Sequence, residues 1–311
     1  HHTPRRFRKP AMTDASTRAH TLDGILLMGV AFTLFPLMDA VGKHLTQDYH
    51  QFQITWGRFF FQAIFVSILV FSRRPPSILR TRKPGLQFAR AFFGWASNIP
   101  FIFGLAFIPL ADAFAAVLVG PLIVTALSVP LLGEKVGLRR WSAIAVGMIG
   151  ALIVVRPGLG VMHWAISMPL LSATAFAFYQ IFTRRLSGTD DTDATLLFGA
   201  YGGVVMSAIL LPLVWKTPDM AGWGFMALMG LIISAAHIAL VRALHFAAAS
   251  ILAPFAYIQI LSATVVGLVA FGDFPDRWTL IGAAIICSSG LYIAHRERKL
   301  ARARRINGAS A

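Results

Sequence analysis

Charge is scarce in this chain: 13% of its 311 residues are charged, against roughly 25% in a soluble domain. With 57% hydrophobic residues and a mean hydropathy of +0.68, it has too little polar surface to face water on all sides, which points to a membrane protein. Acid is scarcer still, 13 Asp and Glu against 28 Lys and Arg, and nearly all of it lies in tails or loops. A paired-carboxylate site or a sodium cage within the membrane is therefore hard to build. Cysteine occurs once, at Cys287 in an apolar run. An internal disulfide framework is excluded, and the thiol reads as a small buried hydrophobe. The sequence also lacks a G-x-x-x-x-G-K-[ST] loop, an H-E-x-x-H pair and a G-x-S-x-G turn, so ATP drive within the chain, zincin chemistry and serine hydrolysis find no support. No cofactor and no metal are expected. The acidic run 188–193, "GTDDTD", reads as a solvated turn.

Basic residues are abundant, and the formal net charge is +15. They do not form the single stripe that nucleic acid would require. They fall in short runs between long apolar segments, which is a membrane-topology pattern. Spans of roughly 20 apolar residues are predicted at 23–42, 53–72, 86–107, 112–132, 140–156, 163–183, 195–215, 222–243, 250–271 and 278–295. Of the Lys and Arg, 22 fall in the tails and even-to-odd loops, and four (Lys43, Arg156, Lys216, Arg277) fall on the other side. That asymmetry places both termini in the cytoplasm of a bacterial inner membrane, with anionic lipid as the partner of the basic tails. The early "RRF" is too far from the apolar run for a cleaved signal, so the first helix reads as uncleaved. Met12 reads as the natural start, with residues 1–11 a disordered extension.

Two stretches resemble each other. "LLGEKVGLRRW" (131–141) and "AFGDFPDRW" (270–278) both close a long apolar run with Gly-acid and then Arg-Trp. Upstream, "GLAFIPLADAF" (104–114) matches "RALHFAAASIL" (242–252), which pairs Asp112 with Ser250 as helix N-caps. "DAVGKHLTQ" (39–47) matches "QIFTRRLSG" (180–188), pairing Asp39 with Gln180. The expected units are a basic tail at 1–21, a five-span repeat at 22–158, a second at 161–295 and a basic tail at 296–311. Five is odd, so the second unit must thread the membrane in the opposite sense. The fold class expected is all-α integral membrane, ten helices as two inverted repeats. Such repeats support alternating access around a midplane site.

The ten spans and the two "GE/GD…RW" endings are similar to the drug/metabolite transporter superfamily, EamA type. Asp273 stands where the usual ending has glutamate. The resemblance implies a central cavity lined by the first four helices of each half, with the fifth and tenth peripheral. It implies transport of a small organic molecule, either amino-acid-like export or uptake of a flavin or S-adenosylmethionine, and no enzymatic activity. A non-transporting scaffold or membrane enzyme is the alternative, and a homodimer is left open.

Ionisable and amide groups inside spans are costly and face the bundle interior. Arg58 sits in "QITWGRFFFQAIFVSIL" (53–69), level with Asp39 on the preceding antiparallel span. The two are expected to pair, as a gate, as a clamp on a zwitterionic substrate or as a structural bridge; the alternative for Arg58 is snorkelling to the outer interface. Asn98 shares a face with Arg90, Ser97 and Phe101; Arg90 is expected to snorkel to the interface. His237, on a face with Ser234 and His245, can relay protons or bond substrate. Tyr179 lies on a face with Ser172, Phe176 and Thr183, with Gln180 beside it. Trp95, Tyr179 and Tyr257 lie deep enough to stack on a flat or cationic substrate, and Gln62 and Gln259 add amides. Proton coupling through Asp39 or His237, or uncoupled exchange, is what the scarce carboxylates leave. Trp141, Trp164, Trp215, Trp223 and Trp278 read as interface anchors. Prolines inside spans predict kinks, and Pro36 predicts an irregular end to the first helix.

Overall fold

The structure is a computed structural model that describes residues 14–133, 137–155, 164–186, 189–246, 255 and 257–308. Among these residues there are helices and turns and no strand. The α-helices are α1 (Asp14–Leu45), α2 (Gln51–Phe71), α3 (Pro84–Leu105), α4 (Leu110–Val117), α5 (Gly120–Leu132), α6 (Leu138–Val155), α7 (Ser167–Leu186), α8 (Thr192–Leu210), α9 (Met220–Phe246), α10 (Ile258–Phe271) and α11 (Arg277–Gly308). Six segments among them are long and apolar enough to cross a membrane: Leu22–Leu45, Gln51–Phe71, Leu110–Leu131, Trp164–Leu186, Thr192–Leu213 and Met220–Leu240. Trp141–Val154 and Ile258–Phe271 are shorter apolar helices. The described residues are thus those of a multi-pass helical membrane protein.

Local chemistry explains where several helices stop. Gly133 and Gly272 follow α5 and α10 with φ of 69° and 70°, in the left-handed region that only glycine enters without a Cβ penalty. This is what the glycine of each "Gly-acid" ending does. Gly133 donates its N–H to the Val129 carbonyl at 3.1 Å and Gly272 to Leu268 at 3.0 Å, capping carbonyls that would otherwise be orphaned. Glu134 lies outside the described residues. Asp273 ion-pairs with Lys43 at 2.8 Å, so this acid ties one end of the bundle together.

Two expectations are corrected and one is met. Leu110–Leu131 is one apolar segment, and the kink expected from Pro121 is present: the helix is interrupted at Leu118 and Val119, both still in the helical region, because Pro121 has no N–H to give and its ring crowds the preceding turn. Asp112 is not an N-cap: Pro109 precedes α4, and Asp112 sits in its first turn, where a negative charge favours the helix dipole. Ser250, the residue expected to correspond to it, lies outside the described residues. Finally, α1 continues through Pro36 to Leu45 without a break. The flanking helix pairs hold it, as its extensive packing on α9 shows.

Packing is organised in matched pairs. α1 packs along α9, α3 along α7, and α6 along α11, with α2 against both α8 and α9 and α3 against α8. α10 lies on α1 and α4, and α5 on α7. Exchanging α1, α2, α3, α4–α5 and α6 for α7, α8, α9, α10 and α11, in that order, maps each of these contacts onto another of them or onto itself. Within self-mapped pairs the chains are antiparallel. Along α2 and α8, Gln53 bonds Lys216, Phe59 packs on Gly203, and Arg74 reaches Asp193. Along α6 and α11, Ser289 donates to the Ala143 carbonyl while Val154 packs on Gly282. α6 and α11 form a pair beside the bundle, which leaves α2, α3, α7, α8 and α9 to surround a polar interior.

Candidate functional site

A cavity of about 80 Å³ lies between α2, α3, α7, α8 and α9, lined by Arg58, Gln62, Arg90, Asn98, Tyr179 and His237 among others. By the rule that one water needs roughly 10–15 Å³, it holds several waters or one small headgroup. Its lining comes from helices on both sides of the chain's midpoint.

Arg90 organises one wall. It is 4% exposed and does not snorkel, contrary to the sequence expectation. Its Nε donates to Thr183 Oγ1 at 2.9 Å, Nη1 to the Thr195 carbonyl at 2.7 Å, and Nη2 to the Tyr179 hydroxyl at 2.7 Å. One guanidinium therefore joins α3, α7 and α8. These acceptors within reach explain why the side chain turns inward. The legible signal was its face: Arg90 stands seven and eight residues before Ser97 and Asn98, all of which line the cavity. What the sequence did not disclose is Gly199, where a Cβ would lie 3.0 Å from Arg90 Nη1. Glycine there lets the guanidinium reach the backbone of α8.

Arg58 differs in kind. It is 7% exposed, yet its Nε has no hydrogen-bond partner. Asp39 is buried and within electrostatic reach, but among the described residues no ion pair within 4.0 Å joins the two, and Asp39 is not in the cavity lining. The close pairing read from their level on adjacent helices is thus not present in this conformation. His237 Nδ1 lies 3.0 Å from the Ile233 carbonyl and 3.5 Å from Gln62 Nε2. The shorter contact requires Nδ1–H, which leaves Nε2 as an acceptor. Asn98 donates to the Gly94 carbonyl at 2.7 Å.

Arg58, Gln62, Asn98, Tyr179 and His237 are brought together; the other candidates lie elsewhere. Trp95 donates its indole N–H to Ser207 Oγ at 2.9 Å, binding α3 to α8. Tyr257 places its hydroxyl against Gly290 on α11. Gln180 and Gln259 are half-buried and outside the lining. Phe176 completes the wall, stacked on Tyr179 at 5.2 Å and 16°. It was visible on the Tyr179 face but carries no polar atom to mark it.

Polar clasps close the bundle at both faces. On the face bearing the α2–α3 and α7–α8 loops, the Asp190 carboxylate accepts from the Thr81 hydroxyl, from Gln87 Nε2 at 2.8 Å and from the Arg82 N–H at 3.2 Å. The Thr81 hydroxyl is the main cause that holds this carboxyl below the usual carboxylate range, with Gln87, the Arg82 N–H and the Lys83 charge adding to it. On the opposite face, the Gln53 amide exchanges two bonds with the backbone of Lys216, at 2.6 and 3.0 Å. The Tyr49 hydroxyl donates to Asp219 at 3.1 Å, and Lys43 holds Asp273 and the Ile108 carbonyl. Asp219 is likewise held low, first by the Gly222 N–H and then by the Tyr49 hydroxyl. A carboxyl whose pKa is depressed on folding stabilises above its unfolded value of about 3.9 and loses that contribution as the pH falls through the folded value. Because the site is open to solvent, which screens these contacts, Asp190→Asn is expected to lower stability at pH 7 by less than about 1 kcal/mol. The deficit should be constant from pH 5 to 8 and vanish in strong acid, as read by thermal unfolding in detergent. A deficit that varies across that neutral window would contradict the assignment.

Known proteins bear on this geometry. Residues 22–156 and 163–294 each match the EamA-like transporter family. An S-adenosylmethionine uptake transporter of Rickettsia felis is 27% identical over 281 residues, spanning 88% of this chain and 94% of its own length. A riboflavin transporter of Rhizobium johnstonii is 27% identical, over 89% and 92%, and a pseudopaline exporter of Pseudomonas aeruginosa 25% identical, over 88% and 97%. A solved structure at 17% identity superposes with a TM-score of 0.61 over 93% of this chain and 99% of its own, a likeness of fold alone. Since two matches to one family together span most of the chain, it belongs to the EamA-like transporter family.

Proposed function

We propose that this chain is a secondary transporter that moves a small organic metabolite across the bacterial inner membrane by alternating access. Ten spans, arranged as two inverted five-span units with both termini in the cytoplasm, would carry the motion. The observation that carries the reading is a polar cavity lined from both halves, with a separable clasp at each face. Exchange-symmetric packing and antiparallel partner helices support the inverted arrangement, because two near-equivalent halves give two near-equal conformations. The relatives' S-adenosylmethionine, riboflavin and pseudopaline are all organic molecules with many heteroatoms, and the amide, imidazole and phenol groups of the cavity suit that class. His237 is the cavity group suited to proton coupling. The α11 helix extends to Gly308, and its basic end is where anionic lipid would bind.

The test is counterflow in proteoliposomes loaded with a bacterial metabolite extract, followed by untargeted mass spectrometry. Protein-dependent exchange of at least one small metabolite is expected. Exchange of none would favour a scaffold or membrane enzyme with structural polar groups. Once a substrate is in hand, His237→Leu and Asn98→Leu are each expected to cut transport at least fivefold with folded yield retained. Unchanged rates in both would remove them from the path.

A further inference from the structure

We infer that the transported molecule carries a carboxylate and that Arg58 is the group that receives it. This rests on the transporter reading and names the chemical class it takes. The observation is an imbalance between two arginines that line one cavity. Arg90 has each of its three nitrogens occupied, by Thr183, Thr195 and Tyr179. Arg58 is more than nine-tenths buried, and among the described residues none accepts a hydrogen bond from it; its Nε is a buried donor without a partner. A guanidinium cannot shed its proton to relieve this, so it keeps five donors and a charge.

Among the described residues no side chain nearby answers that demand. The charged and titratable groups around Arg58 are Arg90, His237, Tyr179 and Asp39. The first two add positive or neutral character, and Tyr179 is already engaged with Arg90. Asp39 offsets charge from outside the lining without bonding. Counting Asp39, Arg58 and Arg90, the site keeps one excess positive charge. A hydrogen bond between a guanidinium and a carboxylate is charge-assisted and about twice as strong as a neutral one, so an anion that enters binds Arg58 better than cavity water does.

The geometry selects a carboxylate among anions. Among the described residues that line the cavity, Arg58 carries the one guanidinium without a hydrogen-bond partner, and its planar fork matches two coplanar carboxylate oxygens. A phosphate dianion would call on a second free cation, and Arg90 is spent. Gln62 stands one helical turn along α2 from Arg58 and has an amide atom without a partner. Whichever way that amide faces, it adds a polar contact beside the headgroup. The about 80 Å³ of the cavity fits a headgroup, and the Phe59, Phe176 and Tyr179 rings offer an apolar wall to the remainder.

The experiment uses the full chain in proteoliposomes with labelled probes in matched pairs: phenylalanine, tryptophan, methionine and S-adenosylmethionine, each against its carboxamide or decarboxylated amine, with riboflavin as a probe without carboxylate. At least one acid is expected to move tenfold or more faster than its partner at equal concentration. Arg58→Gln is expected to raise the KM for that acid at least tenfold, with Arg58→Lys recovering part of it. Thermal shift by the same acid should disappear in Arg58→Gln, a readout of binding that does not require turnover. Transport of riboflavin or the amines as fast as the acids overturns the inference while the transporter reading stands. So does an Arg58→Gln KM within twofold of wild type. Movement of none of the probes withdraws it too, and the metabolite-extract exchange then decides the transporter reading on its own.

Discussion

Arg90→Met is expected to abolish transport, to below about 1% of wild type, and to destabilise the fold. The side chain is removed from three acceptors at once: the Thr195 carbonyl, the Tyr179 hydroxyl and Thr183 Oγ1. The volume of methionine is similar, so the loss is of bonds rather than of packing. Leaving a buried acceptor without its donor costs about 1–3 kcal/mol, and these bonds are what fasten α3 to both α7 and α8 at the cavity. Tyr179 also loses the guanidinium 4.6 Å from its ring centroid, so the aromatic wall loses its anchor. The measurement is initial uptake in proteoliposomes together with melting temperature in detergent. Arg90→Lys should not rescue, because an ammonium cannot fork to three acceptors on different helices. Full activity in Arg90→Met would mean that the wall is held by other contacts.

The second large effect is expected far from the cavity. Gly282→Val places a Cβ 2.6 Å from the Gly150 carbonyl and from Val154 Cγ2, and 3.1 Å from the Val154 N–H nitrogen. Two of those atoms belong to the backbone of α6 and cannot rotate aside. Overpacking a rigid contact costs about 1–3 kcal/mol and can exceed that. Here the whole α6–α11 pair must separate to accept it. Folded, monodisperse protein after detergent extraction is expected to fall at least fivefold, with the surviving fraction keeping its substrate KM. Wild-type yield would show that these two helices do not close on each other in the membrane. A changed KM would place them on the transport path.

These two residues show how legibility divides. Gly282 is one of 26 glycines, and nothing in its neighbourhood marks it as a crossing point; only the antiparallel contact with Gly150 does. Arg90 could be found by its face, yet the rule that arginines near span ends snorkel pointed outward, and the acceptors that reverse it come from α7 and α8, more than 80 residues downstream. The glycines that end α5 and α10 were visible as a repeated motif, because a positive φ is a local demand that a local residue meets. The interior positions of Arg58, Gln62, Asn98, Tyr179 and His237 followed from the cost of polar groups among apolar neighbours. The same reasoning placed Trp95, Gln180, Tyr257 and Gln259 with them, since depth along a helix says nothing about which way a side chain faces. The kink at Pro121 was readable, because the missing N–H is a local property of proline, and it appears as a short interruption at Leu118 and Val119.

The carboxylates of the two clasps have a consequence for how the cell's proton gradient is felt. Asp190 and Asp219 are both held below the ordinary acid range by donated hydrogen bonds, and the Gln53–Lys216 exchange contains no titrating group. Between pH 5 and 8 none of these seals gains or loses a proton. If the transport rate proves to vary over that interval, these three contacts are not what senses the proton.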